Sequence, residues 1–213
     1  MKKKFPDFDI YPVITEEFCT FGSSVETLKR ILDCGVKVVQ LREKDYSRRK
    51  IYEMALIYRK LTENAGACLI INDHADIAAA VQADGIHLGQ DDLPLAAARK
   101  AAPSLFIGIS THNLEEAVEA EKSGADYINI GPIYPTGTKK LQYPPVTPDG
   151  LKKIVESIRC PFTVMGGIKE HNLPELLKVG ARRFAMVTEL TCEPDLPEKM
   201  KRLRRIIHGD YPD

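Results

Sequence analysis

The 213-residue sequence predicts an α/β fold, a single (β/α)8 TIM barrel that spans residues 1–213. Three observations predict it: eight short apolar runs, helical stretches that alternate with them, and short joints with no linker between domains. The runs are almost continuously apolar, which is typical of parallel strands that are buried on both faces. The sequence has no GxGxxG fingerprint and enough strands for closure. We therefore favour the barrel over a doubly wound open sheet.

The predicted strands are distributed over the whole chain. In order, they are FDIYPVIT (8–15), KVVQLRE (37–43), CLIIND (68–73), GIHLGQ (85–90), LFIGIST (105–111), YINIGPI (127–133), FTVMGGI (162–168) and RFAMVTEL (183–190). The helices between them carry boundary signals, such as Asn113 as a cap with Glu116 three residues later. Glycine lies at four joints from helix to strand, where we expect it to adopt the left-handed conformation: Gly35, Gly85, Gly124 and Gly180.

Composition excludes several classes of protein. Lys and Arg together number 30, as do Asp and Glu, so the formal net charge is zero. This balance argues against a partner that is a nucleic acid or an anionic membrane. No apolar run is long enough for a signal peptide or a membrane span. The five cysteines are scattered, which predicts reduced thiols and a cytoplasmic protein.

Polar residues at the end of the second strand predict an anion site. Gln40, Arg42 and Lys44 are spaced by two, so they share one strand face. In a barrel, this strand end lies at the face where active sites form. A guanidinium and an ammonium there are costly unless an anion meets them. The alternative is that they pair with Glu43 or Asp45.

Two acids follow the next two strands. Asp73 ends the third strand and Asp92 lies in GQDD after the fourth, so we expect neighbouring carboxylates. Mg²⁺ commonly takes one or two carboxylates and completes its shell with water and substrate phosphates. The alternative is that each acid caps the helix that follows it.

The remaining strand ends indicate phosphate binding. Ser110 ends the fifth strand, and Gly166 and Gly167 end the seventh, where backbone N–H groups can approach an anion. The alternative for the glycines is a plain tight turn. The segment GPIYPTGTKK (131–140) opens a long loop before helical residues resume at Leu151, and we expect this loop to act as a lid.

The histidines have different expected roles. His87 lies inside the fourth strand, where a buried and hydrogen-bonded histidine is the better expectation than a catalyst. His112 lies at a strand end, and its role stays open. His74 is a loop candidate, and His171 and His208 are expected at the surface.

The segments QLREKD, INDHADIAAAVQADGIHLGQDDLP, IGIS, GPIYPTGTKK and GGI, in this order and spacing, resemble the thiamin phosphate synthase family. The resemblance implies a (β/α)8 barrel that joins 4-amino-2-methyl-5-hydroxymethylpyrimidine diphosphate to 4-methyl-5-(2-hydroxyethyl)thiazole phosphate. The products are thiamin phosphate and diphosphate, and Mg²⁺ is required. The sequence is compatible with a homodimer but does not determine the oligomeric state.

The resemblance also implies roles for individual residues. Gln40, Arg42, Lys44 and Asn72 hold the pyrimidine diphosphate, Asp73 and Asp92 ligate Mg²⁺, Ser110 and Lys139 contact the diphosphate, and Thr136, Gly137, Thr138, Gly167, Val187 and Thr188 bind the thiazole phosphate. Arg42, Lys44, Ser110 and Lys139 are the expected catalytic groups. The family usually has Val-Ser or Ile-Ser at the end of strand eight, whereas this chain has Val187-Thr188. Thr188 keeps the hydroxyl of serine, and we expect its additional methyl group to change the fit around the thiazole phosphate.

Two alternatives remain. The near one is a thiazole tautomerase of the same superfamily, which needs neither diphosphate nor metal and would use His112 as an acid-base group. Such an enzyme is expected to lose the cationic strand face and the acid pair, both of which are present here. The other alternative is a non-catalytic barrel that binds a phosphate ligand, and the intact candidate metal ligands count against it.

Overall fold

A computed structural model of the chain describes residues 5–137 and 143–209. Eight parallel strands close into a barrel in sequence order, with the last strand paired to the first. The strands are β1 (Ile10–Ile14), β2 (Val38–Leu41), β3 (Cys68–Asn72), β4 (Gly85–Leu88), β5 (Phe106–Thr111), β6 (Tyr127–Ile130), β7 (Phe162–Val164) and β8 (Phe184–Met186). The predicted (β/α)8 fold is confirmed, and each strand lies within its predicted segment.

Helices follow the strands on the outside of the barrel. They are α1 (Ser24–Asp33), α2 (Arg48–Ala65), α3 (Ala75–Ala80), α4 (Leu95–Ala101), α5 (Leu114–Lys122), α6 (Thr147–Ser157), α7 (Leu173–Lys178), α8 (Thr188–Thr191) and α9 (Leu196–His208). Short 3-10 turns cover Glu16–Phe18 and Glu170–Asn172. The four-residue α8 directly after β8 is an extra element, and α9 is the helix that completes the eighth unit.

Two apolar layers build the core. The larger one lies between the strands and the surrounding helices. The smaller one fills the barrel interior and consists of Phe8, Tyr11, Val13, Val38, Ile70, Tyr127 and Ala185. The strand register places the polar residue Gln40 next to this inner layer, since Gln40 pairs with Val13 on β1 and with Ile70 on β3. The interior is therefore apolar below and polar towards the carboxyl ends of the strands.

Three of the four predicted glycine joints are confirmed. Positive φ occurs at Gly35 (72°), Gly124 (85°) and Gly180 (96°). The prediction is wrong at Gly85, which begins β4; Gln82 takes the positive φ of 53° at that joint. Gly85 is needed for space instead, because a Cβ there would lie 2.7 Å from Ile70 Cδ1 and 2.8 Å from the Phe106 carbonyl oxygen.

The start of α6 differs from the prediction. The helix begins at Thr147, four residues before the expected Leu151. Pro148 in the first turn explains the early start, since its fixed φ suits a helix and its missing N–H would be unpaired there. The predicted lid therefore ends earlier than expected, and its residues 138–142 lie outside the described residues.

Two local predictions, the helix cap at Asn113 and the free thiols, are confirmed. Asn113 caps α5 by accepting a hydrogen bond of 2.8 Å from the Glu116 N–H. All five cysteines are free thiols. Among residues 5–137 and 143–209, no helix is both long and apolar enough to cross a membrane.

Candidate active site

A cavity of about 750 Å³ opens at the carboxyl ends of the strands. Twelve of the predicted site residues line it: Gln40, Arg42, Lys44, Asn72, Asp73, Asp92, Ser110, Thr136, Gly137, Gly167, Val187 and Thr188. The other two, Thr138 and Lys139, lie outside the described residues. The structure therefore brings together residues from widely separated parts of the sequence, while the role of each one stays a prediction.

Arg42 carries the positive charge at the β2 edge of this cavity. Although β2 ends at Leu41, the Arg42 N–H still donates to the Ile14 carbonyl oxygen at 2.9 Å, so the alternation of side chains continues. Its guanidinium forms no ion pair with any of the residues that the structure describes. Burial lowers the pKa of Arg42, although the carboxylates of Asp73 and Glu43 act in the opposite direction. A half-buried guanidinium without an ion-pair partner favours an anionic ligand.

Lys44 is paired, but not as the alternative reading predicted. Its ammonium donates to Asp73 Oδ2 across the cavity edge, instead of pairing with Glu43 or Asp45. Glu43 points to the other side of the strand and accepts a hydrogen bond of 2.8 Å from the Glu16 N–H. The predicted separation of the two strand faces is therefore confirmed.

Asp73 and Asp92 are neighbours at the cavity edge, and each carboxyl shifts the pKa of the other. Asp92 Oδ2 accepts a hydrogen bond of 2.7 Å from the Gly89 N–H. Burial raises the pKa of Asp73, and Asp92 adds to that. Burial would also raise the pKa of Asp92, but Asp73 and the Gly89 N–H lower it overall. The pKa values of the two carboxyls therefore move apart, as those of close carboxyls do.

The capping alternative for these acids is wrong. The residue before α3 is His74, which makes no side-chain cap, and the residue before α4 is Pro94. Two neighbouring carboxylates repel each other, and a bound divalent cation would offset that repulsion. Within the described parts of the chain, no group of three or more His, Cys, Asp or Glu side chains has metal-binding geometry. Two carboxylates fit Mg²⁺, which keeps several waters and takes substrate phosphates.

A chain of hydrogen bonds crosses the barrel interior below the cavity. Gln40 Nε2 donates to the Tyr11 hydroxyl at 2.8 Å, and this hydroxyl lies 2.9 Å from that of Tyr127. The Tyr127 hydroxyl lies 3.0 Å from His87 Nδ1, and His87 Nε2 lies 2.8 Å from Ser110 Oγ. These hydrogen bonds thus connect the predicted binding residues Gln40 and Ser110 through three buried side chains.

With a neutral His87, these hydrogen bonds have one direction in which every proton is used. Tyr11 accepts from Gln40 and donates to Tyr127, which donates to His87 Nδ1. His87 Nε2 then carries the proton and donates to Ser110, so the Ser110 hydroxyl proton points to the cavity. The prediction that His87 is buried and hydrogen-bonded is confirmed, since it is only 4% exposed. Its link to Ser110 was not predicted.

His112 is held at the cavity wall. Its Nδ1 lies 2.8 Å from Glu116 Oε2, which also accepts the His112 backbone N–H at 2.9 Å. The ring stacks on Tyr143, with 3.8 Å between the ring centroids. His112 and Tyr143 therefore form a flat aromatic wall of the cavity. Glu116 fixes the orientation of the His112 ring, while the acid-base role of His112 stays open.

The β7 and β8 ends form another part of the cavity. Gly166 and Gly167 have φ of 93° and 64°. A Cβ on Gly167 would lie 2.6 Å from the Pro135 carbonyl oxygen and 2.7 Å from Tyr134 Cβ, so the backbones touch closely here. The glycines make a tight turn, as the alternative reading expected, and that turn also lines the cavity.

Two cavity residues at this end were not predicted. Lys169 Nζ lies 3.0 Å from Glu189 Oε2 and 3.5 Å from Thr188 Oγ1. Both residues follow directly after segments that were recognised, GGI and Val187-Thr188. Lys169 lies one residue beyond the predicted strand FTVMGGI, whereas Glu189 lies within the predicted segment RFAMVTEL. The charge of each residue at a strand end is the signal that could have found it.

A family model described as thiamine monophosphate synthase matches residues 10–190. The chain belongs to the thiamine monophosphate synthase family. The match covers all eight strands and every predicted site residue. The resemblance noted in the sequence is therefore confirmed, and membership makes the chain an enzyme, a transferase, as predicted.

Individual members of the family match over nearly their full length. The thiamine-phosphate synthase of Lawsonia intracellularis is 44% identical over 203 residues, which are 94% of this chain and 93% of that protein. That of Pelotomaculum thermopropionicum is 44% identical over 200 residues, with 93% and 92% covered. The solved structure of thiamine phosphate pyrophosphorylase from Pyrococcus furiosus superposes with a TM-score of 0.86 at 34% identity, covering 96% of this chain and 97% of that one.

Proposed function

We propose that the protein joins 4-amino-2-methyl-5-hydroxymethylpyrimidine diphosphate to 4-methyl-5-(2-hydroxyethyl)thiazole phosphate and releases thiamin phosphate and diphosphate. One observation carries this proposal: two cations, Arg42 and Lys44, line the same edge of the cavity as the neighbouring acids Asp73 and Asp92. A diphosphate with its divalent cation needs both kinds of group at one place. The family relationship supports the same reaction.

The β2 edge is proposed to hold the pyrimidine diphosphate. Arg42 offers a fork of donors to phosphate oxygens, and Lys44 offers a point charge once a cation replaces it at Asp73. Gln40 and Asn72 line the same edge and would orient the pyrimidine ring. Mg²⁺, held by Asp73 and Asp92, would neutralise charge on the departing diphosphate.

The proposed chemistry needs no nucleophile from the protein. The thiazole nitrogen forms the new C–N bond to the methylene carbon, and the C–O bond to diphosphate breaks. The aminopyrimidine can stabilise positive charge on that carbon, which supports a dissociative path. Because negative charge grows on the leaving group, Arg42, Lys44 and the Ser110 hydroxyl stabilise the transition state from fixed positions. Lys139, the fourth expected catalytic group, lies outside the described residues.

The β7 and β8 ends are proposed to hold the thiazole phosphate. Gly167 and the first residues of α8 lie where barrel enzymes commonly bind phosphate. Thr136 and Gly137 reach the same cavity from the loop after β6. With the diphosphate at the β2 edge, the two reactants would face each other in line, which supplies much of the rate enhancement.

A thiazole tautomerase is the second candidate, and His112 is the observation that favours it. The ring is fixed by Glu116 at the cavity wall, as an acid-base group should be. However, a tautomerase gives Arg42 and the acid pair no task. Incubating the purified protein with Mg²⁺ and both proposed substrates should yield thiamin phosphate. Turnover of a thiazole carboxylate tautomer without thiamin phosphate would favour the second candidate, and binding without any turnover would favour a non-catalytic barrel.

A cytoplasmic location, the absence of nucleic-acid and membrane partners, and a homodimer compatible with the sequence stay predictions. The scattered cysteines support the first, and the zero formal net charge supports the second.

A further inference from the structure

Lys169 is the one cation at the β7 and β8 end of the cavity among the residues that the structure describes. Three described Lys or Arg side chains line the cavity, and the other two, Arg42 and Lys44, lie at the β2 edge. The proposed function places a phosphate monoester at the Lys169 end. The other groups proposed to bind this phosphate are backbone N–H groups and hydroxyls, which carry no full positive charge.

The backbone and the ammonium of Lys169 are both held in place. Its N–H donates to Asn172 Oδ1 at 2.9 Å, which fixes the residue after the glycine turn. Nζ lies 3.0 Å from Glu189 Oε2 and 3.5 Å from Thr188 Oγ1, at the start of α8. An ammonium has three N–H donors, so at least one remains for a ligand. The side chain is 42% exposed, which leaves it accessible from the cavity.

Glu189 has a second cation that can balance it. Lys199 Nζ on α9 lies 2.8 Å from Glu189 Oε1, and both side chains are largely buried. Burial would raise the pKa of Glu189, but the hydrogen bonds from Lys199 and Lys169 lower it, so the carboxylate is charged at neutral pH. When Lys169 turns to a phosphate, Lys199 still contacts Glu189, so the buried carboxylate is not left without a partner. Lys199 also lies 3.1 Å from Glu170 Oε2 and 3.7 Å from Glu193 Oε2, and Arg202 shares Glu170 with it.

We propose that Lys169 is an additional substrate-binding residue that donates a charge-assisted hydrogen bond to the phosphate monoester of the thiazole substrate. This inference rests on the function proposed above and adds to it a residue that specifies phosphate at this end. Before the substrate arrives, Glu189 pairs with the ammonium next to Thr188, and its negative charge lies at the phosphate end of the cavity.

Steady-state kinetics test the proposal through the two Michaelis constants. Lys169→Met keeps the length of the side chain and removes its charge. We expect the KM for the thiazole phosphate to rise about 10- to 100-fold, the range for one hydrogen bond to a charged group. The KM for the pyrimidine diphosphate should stay unchanged, and Lys169→Arg should recover most of the loss. Lys201→Met, which removes an exposed lysine on α9 next to Glu198, is the matched control.

A calorimetric titration with the thiazole phosphate alone separates this inference from the proposed function. Glu189→Gln removes negative charge from the phosphate end, so it should bind at least as tightly as the wild type, whereas Lys169→Met should bind more weakly. Equal weakening in both variants would mean that the ion pair is only structural and would overturn the proposal, as would an unchanged KM in Lys169→Met. If the wild type forms no thiamin phosphate but shows Lys169-dependent binding, the proposed function fails and this inference stands.

Discussion

His87 Nε2 lies 2.8 Å from Ser110 Oγ, so a buried imidazole ring holds a cavity hydroxyl by a hydrogen bond. The opposite nitrogen of the ring lies 3.0 Å from the Tyr127 hydroxyl, so the tautomer of His87 is set from inside the barrel. The consequence is that the interior of this barrel does more than fill space. It determines the direction of a proton that faces the proposed diphosphate.

Tyr127→Phe should therefore lower activity without touching the cavity. Without its hydroxyl, His87 Nδ1 has no donor from Tyr127, and both tautomers become accessible. We expect kcat/KM to fall roughly tenfold, the equivalent of one positioned hydrogen bond. Initial rates with both substrates measure this.

Tyr58→Phe is the matched control for that change. Tyr58 is also fully buried, and its hydroxyl donates to the Ser24 carbonyl oxygen at 3.2 Å, away from the cavity. It should lose about 1 kcal/mol of unfolding free energy and keep its kinetics. Equal kinetic losses in the two variants would show that the Tyr127 effect is one of stability alone.

The acid pair predicts a magnesium dependence. Asp73→Asn and Asp92→Asn should each lower kcat about 100-fold at saturating Mg²⁺, because charge on the leaving group is no longer balanced. The concentration of Mg²⁺ at half-maximal rate should also rise. Asp76→Asn is the control, since this exposed acid pairs with Arg48 outside the cavity. Rates near those of the wild type at limiting Mg²⁺ would show that the pair does not hold the metal.

Gly167→Ala should damage the phosphate end of the cavity. The residue has a φ of 64°, and a Cβ would lie 2.6 Å from the Pro135 carbonyl oxygen, so the turn must move. We expect the KM for the thiazole phosphate to rise roughly tenfold. Gly35→Ala is the control, because its φ is 72° but no atom lies within 4 Å of the added methyl. It should lose about 1–3 kcal/mol of unfolding free energy from strain alone, with unchanged kinetics.

Asp9 predicts how stability depends on pH. It accepts hydrogen bonds from Arg204 Nε at 2.9 Å and from the Ile10 N–H at 2.7 Å, which ties α9 to β1. Burial would raise the pKa of Asp9, but Arg204, the Ile10 N–H and His208 lower it overall. A lowered pKa in the folded state gives stability that is present above the unfolded pKa of about 4 and is lost as the pH falls through the folded value.

Asp9→Asn should therefore unfold more easily at pH 7, by about 1–2 kcal/mol, and the difference from the wild type should shrink below a pH of about 4. Denaturant titrations across this range measure it. Asp7→Asn is the control, since Asp7 is 91% exposed and pairs with Arg183 at the surface. A constant difference between Asp9→Asn and the wild type at all pH values would contradict the ionic explanation.

Much of the site could be predicted because parallel strands place their carboxyl ends together. Gln40 and Arg42 were found by their spacing of two, and Asp73 and Asp92 by their places after neighbouring strands. These inferences need only strand order and alternation. The confirmed helix cap at Asn113 is likewise a local feature, since donor and acceptor lie three residues apart.

The sequence-based predictions were wrong or incomplete where residues distant in the sequence determine the local structure. Gly85 is glycine because of side-chain and backbone atoms on the two flanking strands, and no local rule shows this. The link from His87 to Ser110 depends on the register between β4 and β5. Lys169 was missed because its direction depends on the turn at Gly167 and on a carboxylate twenty residues later.

The most direct test of the proposed function is a ³¹P NMR time course with both substrates, Mg²⁺ and the purified wild-type protein. The account predicts that thiamin phosphate and diphosphate appear in equal amounts as the pyrimidine diphosphate disappears, and that chelating Mg²⁺ stops the reaction. Phosphorus signals that stay unchanged with folded protein and excess Mg²⁺ would contradict it.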